Sequence, residues 1–193
     1  MIVQFFADGF EEAEALVPLD LMRRAGLEVT AVSINPTTSV TGAHGIVFTA
    51  DTTADRLDFT CTPKAVILPG GMPGTTNLGK CALVKEMLLR AYRAESVVAA
   101  ICAAPSILGR LGLLKGRHAT CFPGFEKELE GAVCEDRQVV TDGNVITGRA
   151  MGAAYEFGLT LVRELVSEEA AAKIASSAFI ETGMFTSTGI AHV

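Results

Sequence analysis

The chain has no CxxC pair and only three histidines, His44, His118 and His192, which stand far apart. No Cys/His group has the spacing of a zinc site, so no metal is expected. The five cysteines, Cys61, Cys81, Cys102, Cys121 and Cys134, are odd in number. In a chain this long and apolar they do not read as a disulfide framework. No apolar run approaches the roughly 18 residues of a membrane span. The N-terminal Met1–Phe6 has no basic flank and too short an apolar stretch for a signal peptide. A cytoplasmic protein is therefore expected. There is no Lys/Arg run and the net charge is −6, which gives no reason to expect binding to nucleic acid or to an anionic membrane. Neither GxGxxG nor GxxxxGK[ST] occurs, which argues against a nucleotide cradle.

What is present is ordinary globular material. The 193 residues are 49% hydrophobic and 20% charged, enough for a buried core and suited to a single domain spanning 1–193.

Short continuous apolar runs, Ile2–Phe6, Ala65–Leu68 and Val97–Ile101, read as buried strands, and Leu27–Ile34 as a fourth. Helical spacing marks Glu14–Ala25, with Pro18 expected to kink or delay it. It also marks Leu78–Ala94, Pro105–Leu111, Ala153–Leu165 and Glu168–Ser177. Hairpins are expected at Thr38–Thr49 and Val139–Thr147, and a short strand at Ala119–Cys121. The tail Thr182–Val193 shows no periodicity. Apolar strands alternating with helices imply a mostly parallel sheet covered on both faces. Ligands of such sheets bind beyond the carboxyl ends of the strands, which selects Ala7–Glu14, Pro69–Pro73 and Cys102–Pro105.

Of these segments, the run into Cys102 carries the most chemistry. A strand leads in, small residues (Ala100, Ala103, Ala104) surround it, and Pro105 suits the first turn of a helix. This is the pattern of a strand–nucleophile–helix elbow. At a helix N-terminus a thiolate is stabilised, so a lowered thiol pKa is expected. A small buried hydrophobe is the other reading of Cys102; its place at a strand end favours a functional thiol. The adjacent Gly70 and Gly71 allow bare backbone to approach a ligand. The Gly71 N–H is then available to an oxyanion hole, together with an N–H near Cys102; a plain turn is the alternative. In Asp8–Glu14, one carboxylate can reach the pocket as a proton carrier, while Glu11 and Glu12 are expected to face water.

Taken together, Glu11-Glu12-x-Glu14, Leu68-Pro69-Gly70-Gly71 and Ala100-Ile101-Cys102-Ala103-Ala104-Pro105 resemble the ThiJ/PfpI superfamily. Asp20–Gly26 and Thr147-Gly148-Arg149 fit the same pattern. The likeness is to the branch of the Parkinson-linked protein deglycase and bacterial YajL, and it runs from about Ile2 to Ala172.

That resemblance implies a flavodoxin-like (class I glutamine amidotransferase-like) α/β fold and a homodimer, with the Glu14–Ala25 helix as dimer element. It implies that Cys102 is the oxidisable nucleophile and Glu14 its carboxyl partner, with anion-binding N–H groups at Gly71 and Ala103. By the same resemblance Gly70, Phe122 and Pro123 are expected to line the pocket. Activities in the family are removal of glyoxal and methylglyoxal adducts, cofactor-free glyoxalase activity, and oxidative-stress sensing or chaperoning. The implied substrates are small carbonyl compounds or glycated thiols and amines, and no cofactor is required.

Two departures bear on mechanism. The peptidase branch has a histidine directly after the cysteine, where this chain has Ala103, so a peptidase or amidase is disfavoured. Human-like relatives place a pocket histidine before a proline, where this chain has Phe122, so strong glyoxalase activity is not implied. His118 is expected to face solvent, His44 occupies the position of a family interface arginine, and Cys121 is expected to be buried and structural.

Overall fold

The computed structural model describes residues 1–58 and 60–181; the expectation for Thr182–Val193 lies outside them. Seven strands form the central sheet: β1 (Ile2–Phe6), β2 (Val29–Ser33), β5 (Thr52–Thr53), β6 (Ala65–Leu68), β7 (Val97–Ile101), β10 (Val139–Asp142) and β11 (Val145–Gly148). Their order is β10-β11-β7-β6-β1-β2-β5. All neighbours run parallel except β10, which pairs antiparallel with β11. Among the long parallel strands, β1, β2, β6, β7 and β11 stand in the flavodoxin-like order 2-1-3-4-5. β3 (Ser39–Thr41) with β4 (Val47–Thr49), and β8 (His118–Ala119) with β9 (Val133–Cys134), form two small separate ladders.

The sheet has helices on both faces because its strands are apolar on both. Along β1, Ile2 and Phe6 join one core cluster and Val3 and Phe5 the other, as the two-residue period requires. The first cluster includes residues from α1 (Glu12–Arg24), α5 (Ala154–Leu165) and α6 (Glu168–Ser177). The second includes residues from α2 (Gly74–Lys80), α3 (Ala82–Arg93) and α4 (Pro105–Arg110).

Two helices differ from expectation. Helix α1 starts at Glu12, because Glu11 caps it by accepting the Glu14 N–H at 2.6 Å. Pro18 lies inside α1 without delaying it. The helix is held by close packing there: a Cβ on Gly158 of α5 would stand 3.0 Å from the Pro18 Cα. The helix expected over Leu78–Ala94 is two helices. It breaks at Cys81, whose backbone is extended (φ −71°, ψ 118°). The expected Ala119–Cys121 strand is His118–Ala119. No helix among the described residues is long and apolar enough to cross a membrane.

Candidate active site

The order of the parallel strands reverses between β1 and β6, and the crevice at such a switch point is where ligands of these sheets bind. Three loops meet there. The loop after β1 opens α1 and carries Glu14 on the first turn. The loop after β6 carries Gly70 and Gly71, and the turn after β7 carries Cys102. The first two are stitched together: the Glu11 N–H donates to the Gly70 carbonyl (3.0 Å), and the Gly70 N–H donates to Glu14 Oε2 (3.1 Å). Gly70 has to be a glycine on steric grounds. A Cβ there would lie 2.6 Å from the Cys102 Cβ and would overlap Glu14 Oε2. Gly71 adopts φ +88°, a conformation that glycine takes without cost.

Cys102 is one of three non-glycine residues with positive φ among the described residues, at +67°. That left-handed conformation costs about 1–2 kcal/mol and is held from both sides. The Cys102 N–H donates to the Gly148 carbonyl (2.9 Å), and the Cys102 carbonyl accepts the Phe122 N–H (2.8 Å). Downstream, Ser106 Oγ donates to the Ala103 carbonyl at 2.7 Å, steadying the entry into α4. The expected elbow is therefore present, with Pro105 in its first helical turn. Gly148 and Ser106 are supports that side-chain chemistry did not single out, because one works through its backbone and the other behind the turn.

The electrostatics correct one expectation. Burial pushes the Cys102 thiol up, to about 12, and the adjoining Glu14 charge adds to the rise; the Gly71 and Ala103 N–H groups pull the other way. The helix-start effect is present in those two amides but is outweighed, because the thiol is desolvated and a carboxylate stands beside it. Burial likewise raises the Glu14 carboxyl to about 7, helped by the Glu11 charge and opposed by hydrogen bonds with Cys102 and the Gly70 N–H. Glu14 is only 1% exposed, so burial is the governing cause. The two groups titrate as a pair. When Glu14 binds a proton its charge vanishes, and with it one of the forces holding the thiol neutral.

The structure thus brings together Cys102, Glu14, Gly70, Gly71 and Ala103. Phe122 reaches the site through its N–H; its ring is exposed and meets Phe125 edge-on at 6.5 Å. Pro123 is exposed beside it. His118 is exposed on β8 and pairs with Glu135 (2.5 Å), as its solvent-facing reading requires. Cys121 is buried, 5% exposed.

Glu12 does not face water. It is 7% exposed, and its oxygens take the His44 backbone N–H and ring Nδ1, both at 2.7 Å. Desolvation acts to raise the Glu12 carboxyl, but the His44 contacts prevail and hold it below its usual value. Sequence spacing could not disclose this pair, which the β3–β4 turn creates across 32 residues. Ligand atoms of Glu11, Glu12 and His44 lie within 4.8 Å of one another, but both Glu12 oxygens are already engaged by His44.

The model of the DJ-1/PfpI family matches residues 1–164. Protein dj-1beta of Drosophila melanogaster is 33% identical over 181 residues, covering 90% of this chain and 94% of the relative. The Parkinson disease protein 7 homolog of Danio rerio is 34% identical over 171 residues, covering 87% and 90%. Two DJ-1 homologues of Arabidopsis thaliana are longer proteins, of which the match spans 39% and 44%. Among solved structures, the oxidized DJ-1 of Toxoplasma gondii superposes with a TM-score of 0.88 at 30% identity, covering 92% of this chain and 97% of that one. With the elbow cysteine, its buried carboxyl neighbour and the flavodoxin-like sheet in place, these matches make the chain a member of the DJ-1/PfpI family.

Proposed function

We propose that the protein is a cofactor-independent enzyme in which Cys102 attacks small α-oxoaldehydes such as glyoxal and methylglyoxal, or their adducts with thiols and amines. The observation that carries this reading is the Glu14 carboxyl, raised to about 7 beside the Cys102 sulfur. A group poised near neutrality both accepts and donates protons efficiently.

In the proposed cycle the Cys102 proton passes to Glu14 and the thiolate sulfur bonds to the aldehyde carbon. The carbonyl oxygen becomes an oxyanion beside the Gly71 and Ala103 N–H groups and takes the proton back from Glu14. In the glyoxalase form, Glu14 then moves the carbon-bound proton of the hemithioacetal. Water cleaves the resulting thioester, returning the thiol and releasing a hydroxy acid. In the deglycase form the Cys102 sulfur displaces the repaired amine or thiol, which leaves with a proton from Glu14; the same carbon-bound proton shift then gives the thioester, and water cleaves it to the hydroxy acid.

Ala103 following the nucleophile leaves no adjacent histidine base, which disfavours a peptidase. The working unit is proposed to be a homodimer built on α1, whose Leu16 and Val17 remain half-buried, with the exposed Ile46 and Val47 at the start of β4. Light scattering should give twice the monomer mass; a monomer rejects the assembly. Methylglyoxal turnover should vanish in Cys102→Ala, and equal turnover in that variant overturns the enzymatic reading.

A second reading, oxidation sensing coupled to chaperone-like partner choice, draws on two observations. A structural neighbour at 30% identity is described as oxidized. In this chain the Glu14 carboxyl, raised to about 7, hydrogen-bonds with the Cys102 thiol, and in its protonated form it would donate to a sulfinate oxygen there. Mild peroxide should add oxygen mass to Cys102 before any other cysteine. Oxygen appearing first on Cys61 or Cys134 rejects it.

A further inference from the structure

Apart from Cys102, two further cysteines face a single cavity. Cys121 and Cys134 both line a cavity of about 230 Å³ with Thr120, Glu126, Asp136 and Arg149 among its walls. They are close enough that charge on the Cys134 thiol acts on that of Cys121. The β8–β9 ladder sets their relation. Ala119 stands opposite Cys134, and Cys121 follows two residues later, just past the end of β8. Cys121 thus lies one step past the ladder, and both thiols reach the same cavity. Disulfides need Cα atoms about 4.4–6.8 Å apart, so closure draws β9 toward Cys121. The segment that must shift is a two-residue exposed strand. Backbone bonds to β8 and its flank hold it, among them those from the Val133 N–H to the Arg117 carbonyl and from the Glu135 N–H to the Ala119 carbonyl, and the Cys134 thiol donates to the Glu126 carbonyl at 3.9 Å.

We infer that Cys121 and Cys134 form a second thiol centre, which closes to an intramolecular disulfide by exchange with low-molecular-weight disulfides. Burial assigns the order of events. Cys134 is exposed and meets the reagent; Cys121 is buried and resolves it. The Cys134 thiolate attacks one sulfur of the small disulfide RS–SR, a mixed disulfide forms and one RS⁻ leaves. The Cys121 thiolate then attacks the Cys134 sulfur, the Cys121–Cys134 bond forms and the second RS⁻ leaves. The two cysteine protons end on two RSH molecules. The dithiol is oxidised by two electrons and the small disulfide is reduced to two thiols.

The walls of this cavity also hold the elbow. Phe122, whose N–H binds the Cys102 carbonyl, follows Cys121. Gly148, whose carbonyl takes the Cys102 N–H, precedes Arg149. Closing the pair therefore pulls on the backbone clamp of the nucleophile without consuming the nucleophile. The inference does not depend on what Cys102 does.

The test uses the full chain, reduced and then incubated with hydroxyethyl disulfide, alkylated and digested with trypsin. Lys127 separates the two cysteines, so closure must appear as the peptides 118–127 and 128–137 joined at two mass units below their sum. Cys102→Ala should retain the link, and Cys134→Ser, at an exposed position, should abolish it in a folded protein. A persistent mixed disulfide on Cys134, a link to another cysteine, or no link overturns the proposal. In the closed form the rate of Cys102 alkylation by iodoacetamide should change by at least about threefold; an unchanged rate overturns the connection to the elbow. Oxygen addition at Cys102 is a different mass change, so the sensing reading and this one fail separately.

Discussion

The Gly70 N–H donates to Glu14 Oε2 at 3.1 Å, and this bond fixes a buried carboxyl against the Cys102 thiol. The glycine gives an amide and no side chain at a point where a methyl group would overlap both partners. Carboxyl and thiol are thereby held in one proton-sharing unit by a residue that takes no part in the chemistry.

Glu14→Gln separates proton transfer from thiol acidity. Turnover should fall by about 10²–10⁴-fold, the usual contribution of a positioned acid–base group. Alkylation of Cys102 at a fixed, mildly alkaline pH should become faster, because the neutral amide no longer adds a neighbouring charge to the burial that raises the thiol. Slower alkylation together with lost turnover would point to a collapsed pocket instead.

The pair also makes stability depend on pH. Glu14 titrates at about 7 in the folded protein against a reference of 4.5. Between those values the native state keeps a proton that the unfolded chain has released, so stability is greatest below the window and falls as pH rises through it. The total is on the order of 3 kcal/mol. Urea unfolding midpoints should decline across that interval in the wild type and flatten in Glu14→Gln.

Gly70→Ala probes the steric requirement alone, since Gly70 has no positive φ. Forcing a Cβ to within 2.6 Å of the Cys102 Cβ should cost about 1–3 kcal/mol, as overpacking does. Turnover should be lost even at temperatures where circular dichroism shows an intact fold.

Backbone strain at the elbow predicts an ordering of inactive variants. Cys102→Gly should be more stable than Cys102→Ala by about 1 kcal/mol, because only glycine accepts φ +67° freely. Differential scanning calorimetry reads this directly; equal melting temperatures would mean that the turn carries no strain.

Much of this was legible from residue order, and the exceptions share a cause. The strands Ile2–Phe6, Ala65–Leu68 and Val97–Ile101 match their apolar runs end to end, because a strand buried on both faces needs no polar alternation. The elbow was readable from Cys102 and its small neighbours. Glu12 was not, since its burial comes from a turn 32 residues away. The raised carboxyl of Glu14 likewise depends on burial and on Gly70, 56 residues distant. The break at Cys81 was hidden by apolar spacing that continues through it. Thr52–Thr53 is too short a strand to leave a pattern.

The bond from the Cys102 N–H to the Gly148 carbonyl has a temporal meaning as well. Cys102 takes its backbone geometry from a residue 46 positions later in the chain, at the end of the strand that pairs with β7. A nascent or truncated chain that has not yet laid β11 against β7 carries the thiol but lacks one half of its clamp. The geometry of this cysteine is therefore complete only once the sheet is.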